Sequence, residues 1–319
     1  MKRYFIIVFF TILACAFACE EFLEEEPKTL VTEGNFFGEQ ATEAGVEQFI
    51  NGIYPGNWWT INDRRWSWFS TIPADDFNQS LSGPGYEPEG VEYDHHDFNA
   101  TQFNIYRQWN YIWWPTARAN TFMYHYPFLE ERFGDRWQKL PFFKGQALFF
   151  RAYNFFIGVQ MWGPIPLVTE KPSGANHPNS TEQDLYAQII ADLTEIVDND
   201  LLPEWTELAD NDKGRITMGA AKSLLAKVYL TKSCYPNVAA PADVDQAVLY
   251  ARDVVQNSGY DLITEPVMDG EDTVYTAYEA AFLPINKNGK EGIWEFQFNQ
   301  GQATNNNNVE WAVPGWFGA

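Results

Sequence analysis

Apolar positions recur along most of this chain at the spacing of a helix, and where that spacing lapses the chain turns aromatic and irregular. Over 39–54, Val46, Phe49, Ile50 and Ile53 occupy the i, i+3, i+4, i+7 places of one helical face, and Pro55-Gly56 predicts its end. A second helix is expected over 102–126, with Tyr106, Trp109, Trp113, Ala117, Asn120 and Tyr124 on one side. Trp109 and Trp113 sit at helical spacing and read as core. Pro115 predicts a kink, because it removes an N–H and crowds the preceding turn. Pro141 suits a first helical turn, and the helix it opens reaches Trp162. Phe142, Phe143, Ala147, Leu148, Phe149, Phe150, Phe155, Phe156 and Ile157 leave that helix almost no polar side, so it is expected to be central and buried. Gly163-Pro164 stops it, and 165–168 continues extended.

Three further helices follow the same logic. Ser180 with Gln183 three residues on reads as a capping box, ahead of a stripe of Tyr186, Ile189, Ile190, Leu193, Ile196 and Val197. Beyond a polar loop at 210–214, Thr217 can cap a helix carrying Ala221, Leu224, Leu225 and Val228. After Pro236 and Pro241, another bears Val244, Ala247, Val248, Ala251 and Val255, and Gly259 suits the left-handed position that closes it. Gly219, Ala220, Ala226, Ala247 and Ala251 allow the last two to pack closely as an antiparallel pair, the unit of tetratricopeptide-like arrays, although no strict period repeats. Near the end, 293–298 alternates with period two and predicts a half-buried strand.

Two stretches carry no sustained period. From 57 to 101, Trp58, Trp59, Trp66, Trp68 and Phe69 cluster among Gly, Pro and acidic residues; from 299 to 319 the chain is Asn-rich and carries Trp311 and Trp316. Long irregular segments of a compact domain tend to be functional. The chain ends without a closing helix or polar tail, which predicts a piece of a longer polypeptide.

The N-terminus adds a location. Met1-Lys2-Arg3 is a short positive region, residues 4–18 are apolar and uncharged, and Ala16-Phe17-Ala18 places small residues directly before Cys19. This pattern predicts a signal peptide over 1–18, too short for a comfortable membrane span, with cleavage and acylation at Cys19 as in bacterial lipoproteins. Cys15, after Ile12-Leu13-Ala14, is a second possible processing site. The acidic run that follows, Glu20 to Glu26 interrupted only by Phe22-Leu23, reads as a solvated tether over 19–35. With 43 acidic against 21 basic residues and a formal net charge of −22, the chain repels phosphate backbones, so nucleic acid is excluded as a partner. Only Cys234 remains in the body, which rules out an intrachain disulfide there, and a chain of this size must rely on its core.

Several ordered blocks resemble the SusD/RagB family of outer-membrane glycan-binding lipoproteins. They are Cys19 with Phe22-Leu23-Glu24, Pro27, Thr32 and Asn35-Phe36-Phe37; Tyr111-Ile112 with Ala119-Asn120; Gly145-Gln146-Ala147 through Arg151-Ala152-Tyr153 to the 162–168 segment Trp-Gly-Pro-Ile-Pro-Leu-Val; and Gly214-Arg215-Ile216-Thr217 through Ala220-Ala221 to the 225–230 segment. The 251–260 segment and Trp294-Glu295-Phe296 are weaker echoes. The resemblance implies an all-α fold, an α/α superhelix of tetratricopeptide-like pairs with long irregular ligand-facing loops and little β, over 36–319 and incomplete at its C-terminus. It also implies a partner, a SusC-type TonB-dependent outer-membrane transporter, and an oligo- or polysaccharide ligand.

Sugars present apolar C–H faces and hydroxyl edges, so a glycan site needs exposed rings beside carboxylates and amides. Trp58, Trp59, Trp66 and Trp68 near Asp75, Asp76 and Asn78 form one candidate; Trp311 and Trp316 with Asn305 and Asn307 form another. Both lie outside the blocks that resemble the family's scaffold. Asp94-His95-His96-Asp97 has metal-ligand residue types, but adjacent residues do not converge on one ion as His at i, i+4 on a helix would, and a solvated loop is the expectation. No cofactor is assigned; calcium, which outer-membrane glycan binders can carry, has Asp94 or Asp272 as its only candidates. No Gly-x-Ser-x-Gly, phosphate-binding glycine loop or His-Glu-x-x-His appears, and the neighbours Asp75 and Asp76 do not suit a pair of acids facing across a glycosidic bond. The expected function is therefore capture of glycan and delivery to a transporter, without catalysis. The alternatives are an α-helical glycoside hydrolase and a peptide-binding lid or adhesin.

Overall fold

The computed structural model describes residues 33–56, 71–74, 88–174, 176–270 and 272–297. The chain divides into two compact units, Met1–Val46 and Glu47–Ala319. In the first, helix α1 (Glu33–Phe37) is followed by the start of α2 (Glu43–Asn51), where Thr42 accepts from the Gly45 N–H at 3.1 Å. In the second, α2 continues to Asn51, Gly52 is a turn, and 53–56 is again helical. The predicted helix thus breaks at Gly52, whose N–H is shared between the Gln48 and Phe49 carbonyls, and not at Pro55-Gly56. Val46, Ile50 and Ile53 are buried, as the spacing required.

Helix α3 (Pro88–Asp94) precedes α4 (Phe103–Phe133), α5 (Leu140–Trp162), α6 (Glu182–Asp198), α7 (Met218–Ser233) and α8 (Asp243–Asn257). Each of the last five packs chiefly on its neighbours in sequence, the arrangement of a helical array. The fold among the described residues is all-α apart from a small hairpin that the sequence pattern had not revealed. In it, β1 (Val267–Asp269) pairs antiparallel with β2 (Asp272–Tyr275), and α9 (Ala277–Ala280) follows.

Helix α5 forms the centre. Phe143, Phe149, Phe150, Phe155 and Phe156 are fully buried around its circumference. Two glycines let neighbours approach: a Cβ at Gly145 would lie 2.7 Å from a Leu202 methyl, and one at Gly158 would lie 2.6 Å from a methyl of Ile165. Polar contacts tie α5 to segments distant in sequence. The Gln146 amide donates to the Ile216 carbonyl (2.9 Å) and accepts from the Ile216 N–H (3.2 Å), while the Tyr54 hydroxyl donates to the same side chain. Arg215 bonds Asp212 (2.8 Å) and Glu47 (2.7 Å), and Lys139, before α5, bonds Asp212 at 2.7 Å.

Several sequence expectations are corrected. Helix α4 runs through Pro115 and Pro127 to Phe133, seven residues past the predicted end. The side chain that caps α6 is Thr181, which accepts from the Asp184 N–H at 3.1 Å; the Ser180 N–H instead donates to the Ile165 carbonyl. Thr217 caps α7 as expected, accepting from the Ala220 N–H, and Gly259 follows α8 with φ +78°. Helix α8, however, turns a different face inward. It buries Asp243, Ala247 and Val254, while Val244, Val248 and Val255 are exposed. Two ion pairs accompany this rotation: Lys232 of α7 holds Asp243 at 2.7 Å in a buried pair, and Lys222 holds Asp253 at 2.7 Å. The segment 293–297 forms no strand. Trp294 instead drives its ring into the aromatic cluster of Phe149, Phe150 and Tyr153, with centroids 5.4–6.0 Å away. Alternation without a neighbouring strand edge leaves side-chain burial to decide the local backbone.

Candidate functional site

The residues chosen from the sequence as glycan contacts, Trp58, Trp59, Trp66, Trp68, Asp75, Asp76, Asn78, Trp311 and Trp316, lie outside the described residues, as do Cys15, Cys19, Asn305 and Asn307. The Asp94-His95-His96-Asp97 motif is the turn that ends α3, with both histidines and Asp97 exposed. Asp272 is exposed on β2. Among the described residues no three His, Cys, Asp or Glu side chains gather around one point.

The described residues do contain a site of a different origin. Helix α4 buries Asn104, Gln108, Thr116 and Asn120 among its apolar residues, and turns several rings outward. Tyr106 and Tyr124 are each 61% exposed and Trp114 is 50% exposed. Trp109 and Trp113, expected in the core, are half-buried at the edge between the two faces. Trp109 meets Trp113 and Trp162 of α5, both edge-on at 5.4 Å between centroids, and Trp113 meets Phe155 edge-on at 6.4 Å. Edge-to-face contacts fix a ring while leaving its neighbours offset. Among the described residues no ring stacks parallel on Trp113.

Beside this cluster a cavity of ≈170 Å³ opens between α4 and the loop that follows α5. Trp113, Thr116, Ala117 and Asn120 form one wall; Val168, Pro172, Ser173, Gly174 and His177 form the other. The loop is held in place at several points. Pro166 bridges Asn179, and the Asn120 amide donates to the Val168 carbonyl at 2.7 Å. The Lys171 ammonium stands 5.2 Å over the exposed Tyr124 ring. His177 Nδ1 lies 3.6 Å from the Glu170 carboxylate.

The wall on α4 is anchored from within. Arg151 of α5 donates to the Asn120 oxygen at 3.3 Å and grips Asp192 of α6 through two bonds of 2.7 and 2.6 Å. Gln188 adds a third bond to Asp192 at 2.7 Å. Burial pushes the Asp192 carboxyl upward, against the opposing pull of Arg151. Asn120 is only 1% exposed, and its oxygen and its amide are both engaged in these contacts. Thr116 donates to the Ile112 carbonyl at 2.6 Å, leaving its oxygen able to accept. The lining thus combines an indole, apolar loop residues, and residues that bear hydroxyl and imidazole groups. It suits an uncharged molecule with an apolar face and a polar rim. A second recess, near Trp205, Arg215, Tyr260 and Trp294, measures ≈10 Å³, about the space of a single water.

Sequence reasoning put Trp109 and Trp113 in the core, where they are half-buried, while Asn120 on the same predicted side is buried; it did not single out His177. The available signal for His177 was its position in a turn-rich stretch, Pro172-Ser173-Gly174 to Pro178, between two helices.

Comparison with known proteins follows the same lines as this architecture. A SusD-like family profile described as "Starch-binding associating with outer membrane" matches residues 21–230. A SusD-like protein of Bacteroides ovatus is 27% identical over 304 residues, covering 93% of this chain and 50% of that protein. The chain therefore spans about half the length of the curated relative it matches. A crystal structure described as containing a xylogluco-oligosaccharide aligns with 26% identity and a TM-score of 0.59, over 80% of this chain and 46% of that one. A SusD superfamily structure from Bacteroides fragilis aligns at 20% identity with a TM-score of 0.63, over 83% of this chain and 51% of the other, a likeness of fold. The segments that carried the resemblance in sequence are joined in space, Asn120 to Arg151 and Gln146 to Ile216. The chain belongs to the SusD-like family.

Proposed function

We propose that this protein is a cell-surface glycan-binding lipoprotein that captures an oligo- or polysaccharide and passes it to a SusC-type TonB-dependent transporter in the outer membrane. The observation that carries this reading is the family match over 21–230, supported by the 26% identical structure containing a xylogluco-oligosaccharide. Cys19 is the lipid attachment point, residues 1–18 are the leader that is removed, and the acidic segment over 19–35 is the tether that gives the helical body reach. Several acyl chains on one cysteine, together with the transporter, hold such a protein at the membrane, where a single chain would hold weakly. The Trp58–Trp68 and Trp311–Trp316 regions supply aromatic platforms for the glycan. The protein performs no covalent chemistry on it.

Binding of the purified chain to a glycan array tests the capture step. Trp66→Ala and Trp311→Ala are expected to weaken the array signal, and unchanged binding in both removes those platforms from the site. Release of reducing sugar from a bound polysaccharide by the purified protein would identify a hydrolase instead. Metabolic labelling with a fatty acid, lost in Cys19→Ala, tests the anchor.

A further inference from the structure

The cavity beside Trp113 has the capacity of one ring. At ≈170 Å³ it falls below the roughly 300–1,000 Å³ of pockets that enclose a whole drug-sized ligand. A ring at an end or on a branch of a glycan can enter it. The wall chemistry narrows the class further. Trp113 lines it with an indole, and Ala117 and Gly174 add almost no bulk. Gly174 has φ +74°, and a Cβ there would meet nothing within 4 Å, so the loop lip stays open. Val168 and Pro172 complete an apolar surround, while Ser173, His177 and the Thr116 oxygen supply hydrogen-bonding groups. A purely hydrophobic ring would bury those groups unpaired. A carboxylated ring would face Glu170 next to His177 within a chain of net charge −22. A neutral pyranose satisfies all three conditions, with its C–H face on the indole and its hydroxyls at the rim. Beyond the cavity, Tyr124 stands exposed seven residues after Ala117, about 10 Å along the helix, where the next part of a longer ligand would pass.

We propose that the cavity formed by Trp113, Ala117, Asn120, Ser173 and His177 is a binding site for a single uncharged terminal or branch pyranose. The proposal rests on the glycan-binding reading above, but places a contact on the helical frame, apart from the loop tryptophans.

The test uses the full 319-residue chain purified in detergent. Xylogluco-, malto- and cello-oligosaccharides, with free xylose, galactose, glucose and glucuronate, are titrated by calorimetry and by tryptophan fluorescence. Ala117→Leu fills the cavity without altering its ring or its polar groups, and His177→Ala removes a rim contact. Ala117→Leu is expected to weaken oligosaccharide binding at least tenfold and to abolish the fluorescence response to the neutral monosaccharides. His177→Ala is expected to weaken both several-fold, and circular dichroism melts serve as folding controls. Oligosaccharide binding that survives intact in both variants overturns the cavity site and leaves the capture function standing. Preference for glucuronate over glucose overturns the neutral-pyranose assignment. Wild-type protein that binds none of these sugars overturns both readings.

Discussion

Helices α4 and α5 pack along each other, yet they distribute their side chains differently. In α5, phenylalanines fill every side, and the polar residues that enter the core, Gln146, Arg151 and Asn154, are fully bonded. In α4 the core side carries Asn104, Gln108, Thr116 and Asn120, while Tyr106, Trp114 and Tyr124 face outward. One helix keeps its aromatic residues in the core; the other buries Tyr111, Phe122 and Tyr126 but displays these three. Large rings are costly to leave in water unless something covers them, and buried amides are costly unless bonded. The displayed rings of α4 therefore mark a surface shaped for contact, and α5 marks the frame that holds it. The Arg151–Asp192 pair and its bond to Asn120 are where frame and surface meet.

That contrast can be broken by substitution. The largest effects belong to the frame. Phe155→Ala, which empties a fully buried site, is expected to cost about 3–5 kcal/mol in denaturant unfolding. Asp192→Ala, which strands a buried guanidinium, is expected to cost about 3–5 kcal/mol as well and to loosen Asn120. Loss of stability below 1 kcal/mol in either would erase the distinction between frame and surface.

Smaller losses are expected at the anchor of the α5 N-terminus. Burial pushes the Asp212 carboxyl up, but the Lys139 hydrogen bond and the Arg215 and Lys139 charges outweigh it and hold the carboxyl below its ordinary range. The folded state thus favours the ionised form. Its contribution is complete above the unfolded value of about 3.9 and disappears as pH falls through the lower folded value. Asp212→Asn is expected to lose about 1.5–3 kcal/mol at neutral pH. Its stability should also fall less steeply than that of the wild type in acid below about pH 4, as urea melts at successive pH values would measure. Gly158→Ala, which forces a methyl against Ile165 and Ile112, is expected to cost about 1–3 kcal/mol. At the other extreme, Tyr124→Ala on the displayed face should change stability by no more than about 0.5 kcal/mol, and a drop of several kilocalories would show that this ring belongs to the frame.

The sequence pattern disclosed the frame more fully than the surface. The all-round apolar run of α5, the Thr217 cap, the left-handed Gly259 and the buried Val46, Ile50 and Ile53 follow from local rules: helix periodicity, capping and backbone freedom. Expectations failed where a distant partner decided the outcome. The valines of α8 lie outside, and the face turned inward is the one whose acidic residues Lys232 and Lys222 reach. Trp294 joins the α5 rings where alternation had suggested a strand. Asn120 is buried beside the half-buried Trp113 because Arg151 and Val168 satisfy its amide. None of those partners lies within a turn of the residue it contacts. The cavity itself combines α4 with a loop some fifty residues later, and no window of sequence contains both walls.

By itself, then, the order of residues determined that this chain forms a helical array with a phenylalanine-filled centre, since periodicity and capping are properties of neighbouring residues. The tertiary structure alone decided which side of α4 and α8 faces inward and where an indole, an imidazole and two hydroxyls surround one ring-sized space. Rotation of a helix depends on what its partners can neutralise or bond, and those partners are brought together only by folding.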